Sequence, residues 1–262
     1  MVVLKLDIDF EGEYFMNDLN GKVVIVTGAS KGIGKDISIN LAAKGASIVV
    51  NYNRDHEGAE EVVSFIKENG GYAVAFQSNV GIYSEAQRLI EFTYQTFGKI
   101  DILINNAGVS YIGLLMDMNE NEIDRLIDTN IKGVMYTSKF VIPHFLSKGK
   151  GIIINISSIW GQSGAACEAI YSATKGAVNS FTKALAKELA PSKIRVNGVA
   201  PGVINTSMNR WLSEEEKNIL IDEIPMCRFG EGNEVAEVVS FLCSEQSSYL
   251  TGQILTVDGG MI

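Results

Sequence analysis

Tyr171 and Lys175 stand four residues apart in Tyr171-Ser172-Ala173-Thr174-Lys175, where a stretch of helical periodicity begins. On a helix that spacing puts both side chains on one face. A phenol with a pKa near ~10 moves protons poorly at neutral pH. A neighbouring ammonium stabilises the phenolate and draws that pKa toward the working range. The pair is therefore suited to giving and taking a proton, although the spacing alone is common and usually structural. Its context comes from Thr27-Gly28-Ala29-Ser30-Lys31-Gly32-Ile33-Gly34, which lies between a β-branched run and the next helical stretch. A turn this tight needs glycine. The absent side chains also let a pyrophosphate approach a helix N-terminus, where free N–H groups and the dipole favour negative charge. In the first strand–turn–helix unit, such a turn reads as a dinucleotide cradle. An oxidised nicotinamide ring there would add a second positive charge beside the phenol.

The end of the second β-branched run bears on which dinucleotide is held. An acid there would accept hydrogen bonds from a ribose 2′-hydroxyl and repel a 2′-phosphate. The chain reads Val50-Asn51-Tyr52-Asn53-Arg54, so Tyr52 takes the expected acidic position and Asn53 and Arg54 follow it. With Lys31 in the glycine turn, two cations are available to clamp a 2′-phosphate. The sequence favours NADP(H) over NAD(H).

These residues need a frame. Short β-branched runs at 22–28, 47–52, 72–77, 100–106, 151–157, 193–202 and 253–260 alternate with helical patterns at 34–44, 57–68, 84–97, 120–146, 169–189, 213–221 and 234–243. Continuous apolar runs imply strands buried on both faces. Alternation with helices implies right-handed crossovers. The expected fold class is α/β, a Rossmann-type three-layer sandwich on a doubly wound parallel sheet of about seven strands. Residues 1–20 read as an N-terminal extension, with Met16 as an alternative start, and 21–262 as one domain.

Composition narrows the class. The formal net charge of the 262 residues is −9, from 31 acidic and 22 basic residues, which argues against general nucleic-acid binding. No apolar run reaches bilayer length, and acids interrupt the N-terminal apolar residues, so neither a membrane span nor a signal peptide is expected. The simplest reading is a cytoplasmic protein. Cys167, Cys227 and Cys243 are widely spaced, and His56 and His144 are isolated, so neither a disulfide framework nor a metal site is expected.

Taken together, these motifs resemble the short-chain dehydrogenase/reductase family, whose cofactor turn is TGxxxGxG. The resemblance runs from about Lys22 to the C-terminus. Asn105-Asn106-Ala107-Gly108 matches the family's NNAG motif, and Pro201-Gly202, followed by Val203, matches its PG motif. Asn79-Val80 looks like the pair beside the adenine, with Asn79 where many members carry Asp. The resemblance implies a catalytic tetrad. Tyr171 is the general acid for reduction, and Lys175 binds the nicotinamide ribose and depresses the Tyr171 pKa. Ser158 hydrogen-bonds the substrate oxygen, and Asn130 holds a water in a proton relay. It also implies a homotetramer built through helices 120–147 and 169–190 and the last strand.

Within the family, TGASKGIG, KIDILINNAG and TGQILTVDGG are similar to 3-oxoacyl-[acyl-carrier-protein] reductases, so the expected substrate is a small or carrier-linked ketone. The segment 157–171 is also similar to reductases of a 5-aminopentanone group on a lysine of elongation factor P. In that reading Trp160 and Cys167 shape the pocket, and Glu168 attracts the substrate amine. The alternatives are a helix-start carboxylate for Glu168 and a small apolar filler for Cys167. Lys148, Lys150 and Lys193 are candidates for docking an acidic carrier. Val203–Arg228, with Met208, Trp211, Leu212 and Met226, and Phe229 just beyond, looks like a substrate lid. A non-catalytic dinucleotide sensor is the reading from another class; the complete tetrad speaks against it.

Overall fold

Val23–Val26 (β1) shows why the strand runs read as continuous. Val24 and Val26 enter one core cluster and Ile25 the other. The two faces of the strand are therefore both apolar, and no polar residue interrupts the run. The same alternation continues through Ser47–Tyr52 (β2), Ile102–Asn105 (β4) and Gly151–Ile156 (β5). With Tyr72–Gln77 (β3), Ile194–Pro201 (β6) and Ile254–Val257 (β7) they form a seven-stranded sheet. Its order is β3-β2-β1-β4-β5-β6-β7 and every pairing is parallel. The computed structural model describes residues 19–206 and 213–262.

Helices cover both faces. On one side lie Gly32–Ala43 (α1), His56–Glu68 (α2) and, further along the chain, Gly232–Cys243, which pack Ile37, Val62 and Val239 onto the first cluster. On the other lie Tyr83–Phe97 (α3) and two long helices, which supply Leu89, Phe145 and Leu185 to the second. This is the expected three-layer arrangement. The strand order reverses between β1 and β4, which opens a crevice at the carboxyl ends of the strands.

Two expectations need correction. The helical stretch 120–146 is not one helix. Glu120–Ile127 (α4) ends in a π-helical turn, Asp128–Lys132, before Gly133–Lys148 (α5) resumes. In that turn the Gly133 N–H donates to the Asp128 carbonyl, five residues back, so the extra residue must bulge. The bulge brings Asn130 inside, 1 % exposed. The second correction concerns the extension. Leu19, assigned to it, is 1 % exposed within the first core cluster, and its N–H donates to the Lys44 carbonyl at 3.2 Å.

The remaining α-helices among the described residues are Trp160–Ser163 (α6), Ala169–Leu189 (α7) and Glu214–Asp222 (α8), with Gly232–Cys243 as α9. No helix among the described residues is long and apolar enough to cross a membrane.

Candidate active site

The glycine turn joins β1 to α1 and is held shut by the strand beside it. The Thr27 Oγ1 accepts the N–H groups of Asn106 and Ala107, each at 3.0 Å. The Asn106 Nδ2 donates back to the carbonyls of Thr27 and Gly28 at 2.9 and 3.0 Å. Gly28 has φ +62, and a Cβ there would lie 2.8 Å from the Ala107 Cα. At Gly34 a Cβ would collide with the Asn106 Nδ2 and come within 2.5 Å of the Gly28 carbonyl oxygen. Both glycines are therefore required by close approach. Lys31 is the N-cap of α1 with no side-chain cap hydrogen bond, and the first turn carries no acid. The free N–H groups and dipole of that turn are left for an anion, so the cradle fits a pyrophosphate.

Around the cradle, Ser30 is buried, Gly32 and Ile33 are half-buried, and Lys31, Asn53 and Arg54 are exposed. Neither Lys31 nor Arg54 pairs with a carboxylate among the described residues. Tyr52 is buried with its hydroxyl 2.8 Å from the His56 Nδ1, so the position an acid would occupy holds a phenol already engaged. Asn79 folds over its own loop: its Oδ1 accepts the Gly81 N–H at 3.0 Å, while Val80 is buried beneath.

Sequence reasoning missed two residues here. Asn51, buried in β2, accepts the Gly28 N–H at 3.3 Å and donates to the Ser78 Oγ at 2.9 Å, tying the turn to the end of β3. Thr206 lies 3.6 Å from where a Gly32 Cβ would stand, which puts it against the turn. Only the fold reveals either.

The four tetrad residues converge at the carboxyl ends of β4 to β6. Ser158 follows β5 and is 7 % exposed; its Oγ accepts the Trp160 N–H at 3.2 Å. Tyr171 and Lys175 occupy the first two turns of α7, with the Lys175 Nζ 5.7 Å from the Tyr171 ring centre. Lys175 is 4 % exposed and donates to the Ile156 carbonyl at 2.9 Å. Burial lowers its ammonium to about 8. Burial pushes the Tyr171 phenol up to about 12, partly offset by the Ser158 hydroxyl and reinforced by Glu168. The protein alone thus raises this phenol rather than depressing it, because burial outweighs the influence of Ser158.

Asn130 is tied down by its side chain. Its Oδ1 accepts the Val109 N–H at 2.9 Å, and its Nδ2 donates to the Val109 carbonyl at 2.9 Å and the Thr174 Oγ1 at 3.1 Å. The side chain is a clamp between the loop after β4 and α7. Gly108 sits flush with it: a Cβ there would lie 3.5 Å from the Lys175 Nζ. Pro201 ends β6 and accepts the Ile159 N–H at 3.0 Å; Gly202 donates to Val257 at 2.9 Å, and the Val203 carbonyl accepts from Gly230 at 3.0 Å.

On the substrate side, Trp160 is half-buried at the start of α6. Cys167 is not a packed filler: it is exposed, in a left-handed conformation (φ +61), and its carbonyl accepts the Gly113 N–H at 2.8 Å. Glu168 is the N-cap of α7 yet makes no side-chain cap hydrogen bond. It is half-buried, and burial raises its carboxyl above the ordinary value. Met208, Trp211 and Leu212 lie outside the described residues, while Met226 is exposed. Asn205, Thr206, Ile221 and Phe229 line part of a cavity of about 410 Å³. Lys148, Lys150 and Lys193 are at the wrong end for docking beside this chain's own site. They precede β5 and β6 at the amino edge of the sheet, where Lys148 pairs with the buried Asp101.

The short chain dehydrogenase family profile matches residues 22–217. The "3-oxoacyl-[acyl-carrier-protein] reductase FabG" of Staphylococcus epidermidis is 44% identical over 240 residues, 92% of this chain and 98% of the relative. That of Thermotoga maritima is 38% identical over 244 residues, covering 93% and 99%. An "Uncharacterized oxidoreductase YmfI" from Bacillus subtilis is 39% identical over 240 residues, covering 91% and 98%. Among solved structures, a doubly substituted mutant of a Serratia marcescens short-chain dehydrogenase/reductase superposes with a TM-score of 0.88 at 32% identity, covering 94% of this chain and 99% of that one. A parallel sheet with its glycine turn at β1, and a Ser–Tyr–Lys cluster at its carboxyl edge, agree with these likenesses: the chain belongs to the short-chain dehydrogenase/reductase family of oxidoreductases.

Proposed function

We propose that this chain is an NADP(H)-dependent ketone reductase whose substrate is a 3-oxoacyl group carried on acyl carrier protein. The observation that carries the catalytic reading is the convergence of Ser158, Tyr171 and a buried Lys175 at the carboxyl edge of the sheet, with Lys175 Nζ 5.7 Å from the Tyr171 ring centre. The substrate class is supported by 44% identity to a relative named for that reaction. The dinucleotide, when bound, supplies hydride. Negative charge then develops on the substrate oxygen, where the Ser158 and Tyr171 hydroxyls are placed to donate. A phenol raised to about 12 stays protonated at neutral pH, which suits an acid that yields its proton only as that charge forms. Lys175 would meet the ribose hydroxyls and stabilise the phenolate that results. Lys31 and Arg54, free of carboxylate partners, would clamp the 2′-phosphate.

A second reading is favoured by Glu168. A half-buried carboxylate without a cation partner among the described residues, one turn before the phenol, suits a substrate that brings its own ammonium. The 5-aminopentanone group on elongation factor P has that chemistry. The deciding experiment follows NADPH absorbance with an acetoacetyl thioester and with aminopentanone-modified elongation factor P. Preferential turnover of the thioester supports the first reading. Turnover of the modified protein alone, abolished by Glu168→Gln, replaces it with the second. A homotetramer through α5, α7 and β7 belongs to the same proposal. Met135 and Leu146 stand exposed on α5, and light scattering measures the assembly.

A further inference from the structure

Thr174 lies between the tetrad residues and touches two of them. It is 1 % exposed. Its single hydroxyl proton is donated to the Tyr171 carbonyl at 2.7 Å, which turns a lone pair toward the Asn130 Nδ2 at 3.1 Å. A threonine bonding back along its own helix is ordinary. Thr93 and Thr182 each do so four residues back, and Thr137 reaches both four and three residues back. Thr174 reaches three residues back only, to the backbone of Tyr171 itself.

Asn130 in turn grips both backbone groups of Val109. One continuous set of hydrogen bonds therefore runs from the loop after β4, through the π-helical turn, to the first turn of α7. The helix does not need this bond, since the Lys175 N–H serves the Tyr171 carbonyl in any α-helix. Asn130 also keeps Val109 without it.

We propose that Thr174 is a positioning residue, which transmits the register of Asn130 to the backbone of Tyr171 and so fixes where the phenol stands relative to Ser158. The proposal rests on the reading of Tyr171 as the proton donor. Loss of the hydroxyl lets the first turn of α7 shift against the β4 loop. A shift of a fraction of an ångström moves the phenol relative to the Ser158 hydroxyl, whose influence lowers the phenol pKa, so loss of that influence raises it.

The test compares Thr174→Val, which keeps the shape, with Thr174→Ser, which keeps the hydroxyl. In the alcohol-oxidising direction, the rise of kcat with pH reports phenolate. Thr174→Val is expected to move that rise upward by about half a pH unit or more, and to lower kcat about tenfold. Its KM for the dinucleotide should stay within about twofold. Thr174→Ser should stay close to the parent in all three. A valine variant with the parent's pH profile, or a serine variant as impaired as the valine, overturns the proposal; so does a variant that only melts earlier. Thr174→Ala substitutes if the valine variant fails to fold. If the parent turns over no ketone, the functional reading fails separately. Hydrogen exchange at residues 169–175 then decides: faster in valine but not serine supports the positioning role, equal in both overturns it.

Discussion

Lys175→Met should make the protein more stable while removing its chemistry. Lys175 is 4 % exposed, and burial holds its ammonium at about 8 against an ordinary 10.5. At roughly 1.4 kcal/mol per pH unit, carrying that charge below pH 8 costs the folded state about 3 kcal/mol. Methionine removes the charge at similar volume. It also leaves the Ile156 carbonyl without the Nζ donor, a loss of about 1 kcal/mol. The net gain is on the order of 2 kcal/mol at pH 7, or about 4–8 °C in melting temperature for a protein of this size. The pH dependence is the sharper part. Between about 8 and 10.5 the unfolded chain holds a proton on Lys175 that the folded protein has released, so the parent's stability rises with pH across that window. The variant lacks this rise. Calorimetry without dinucleotide should therefore show the gap fully present at pH 7 and mostly closed by pH 10. A variant less stable than the parent at pH 7, or a gap that ignores pH, would refute the claim that Lys175 is held at the expense of stability. Such a cost is expected where a site needs a cation that the core disfavours.

Other consequences follow from the cradle. Gly34→Ala puts a methyl against Asn106 and the Gly28 carbonyl, so NADPH affinity by fluorescence titration should fall about tenfold or more, with a lower melting temperature. Unchanged binding would mean the turn relaxes freely. Replacing Lys31 and Arg54 together by Ala should weaken NADPH about tenfold or more, discounted for their exposure, and leave NADH within about threefold. Equal loss for both dinucleotides would remove the 2′-phosphate assignment.

Much of this architecture is legible in the sequence because burial on both faces of the sheet leaves an unmistakable residue pattern. Val23–Val26 can be β-branched throughout only because each face has its own cluster. The π-helical turn at 128–132 is not legible. Apolar periodicity runs through it unbroken, and what makes it is tertiary: Asn130 turning in to Val109 and Thr174. The left-handed backbone at Cys167 is equally silent, since its residue type does not announce it. The lysines at 148, 150 and 193 were legible and misjudged. Residues just before a parallel strand stand at the amino edge, opposite a site built at the carboxyl edge. The convergence of Ser158, Tyr171 and Lys175 is legible because the turn, the strand order and the helical spacing must agree for any of them to matter. The engaged side chain of Asn130 is not, because hydrogen-bond partners far apart in sequence carry no local signature.

The central claim is that the Tyr171 hydroxyl delivers the proton. Tyr171→Phe removes that hydroxyl and keeps the ring. With NADPH and an acetoacetyl thioester, single-turnover rates should fall by about 10²–10⁴-fold, with NADPH affinity within about threefold of the parent. A variant that reduces the ketone within about threefold of the parent rate would contradict the assignment and, with it, the mechanism.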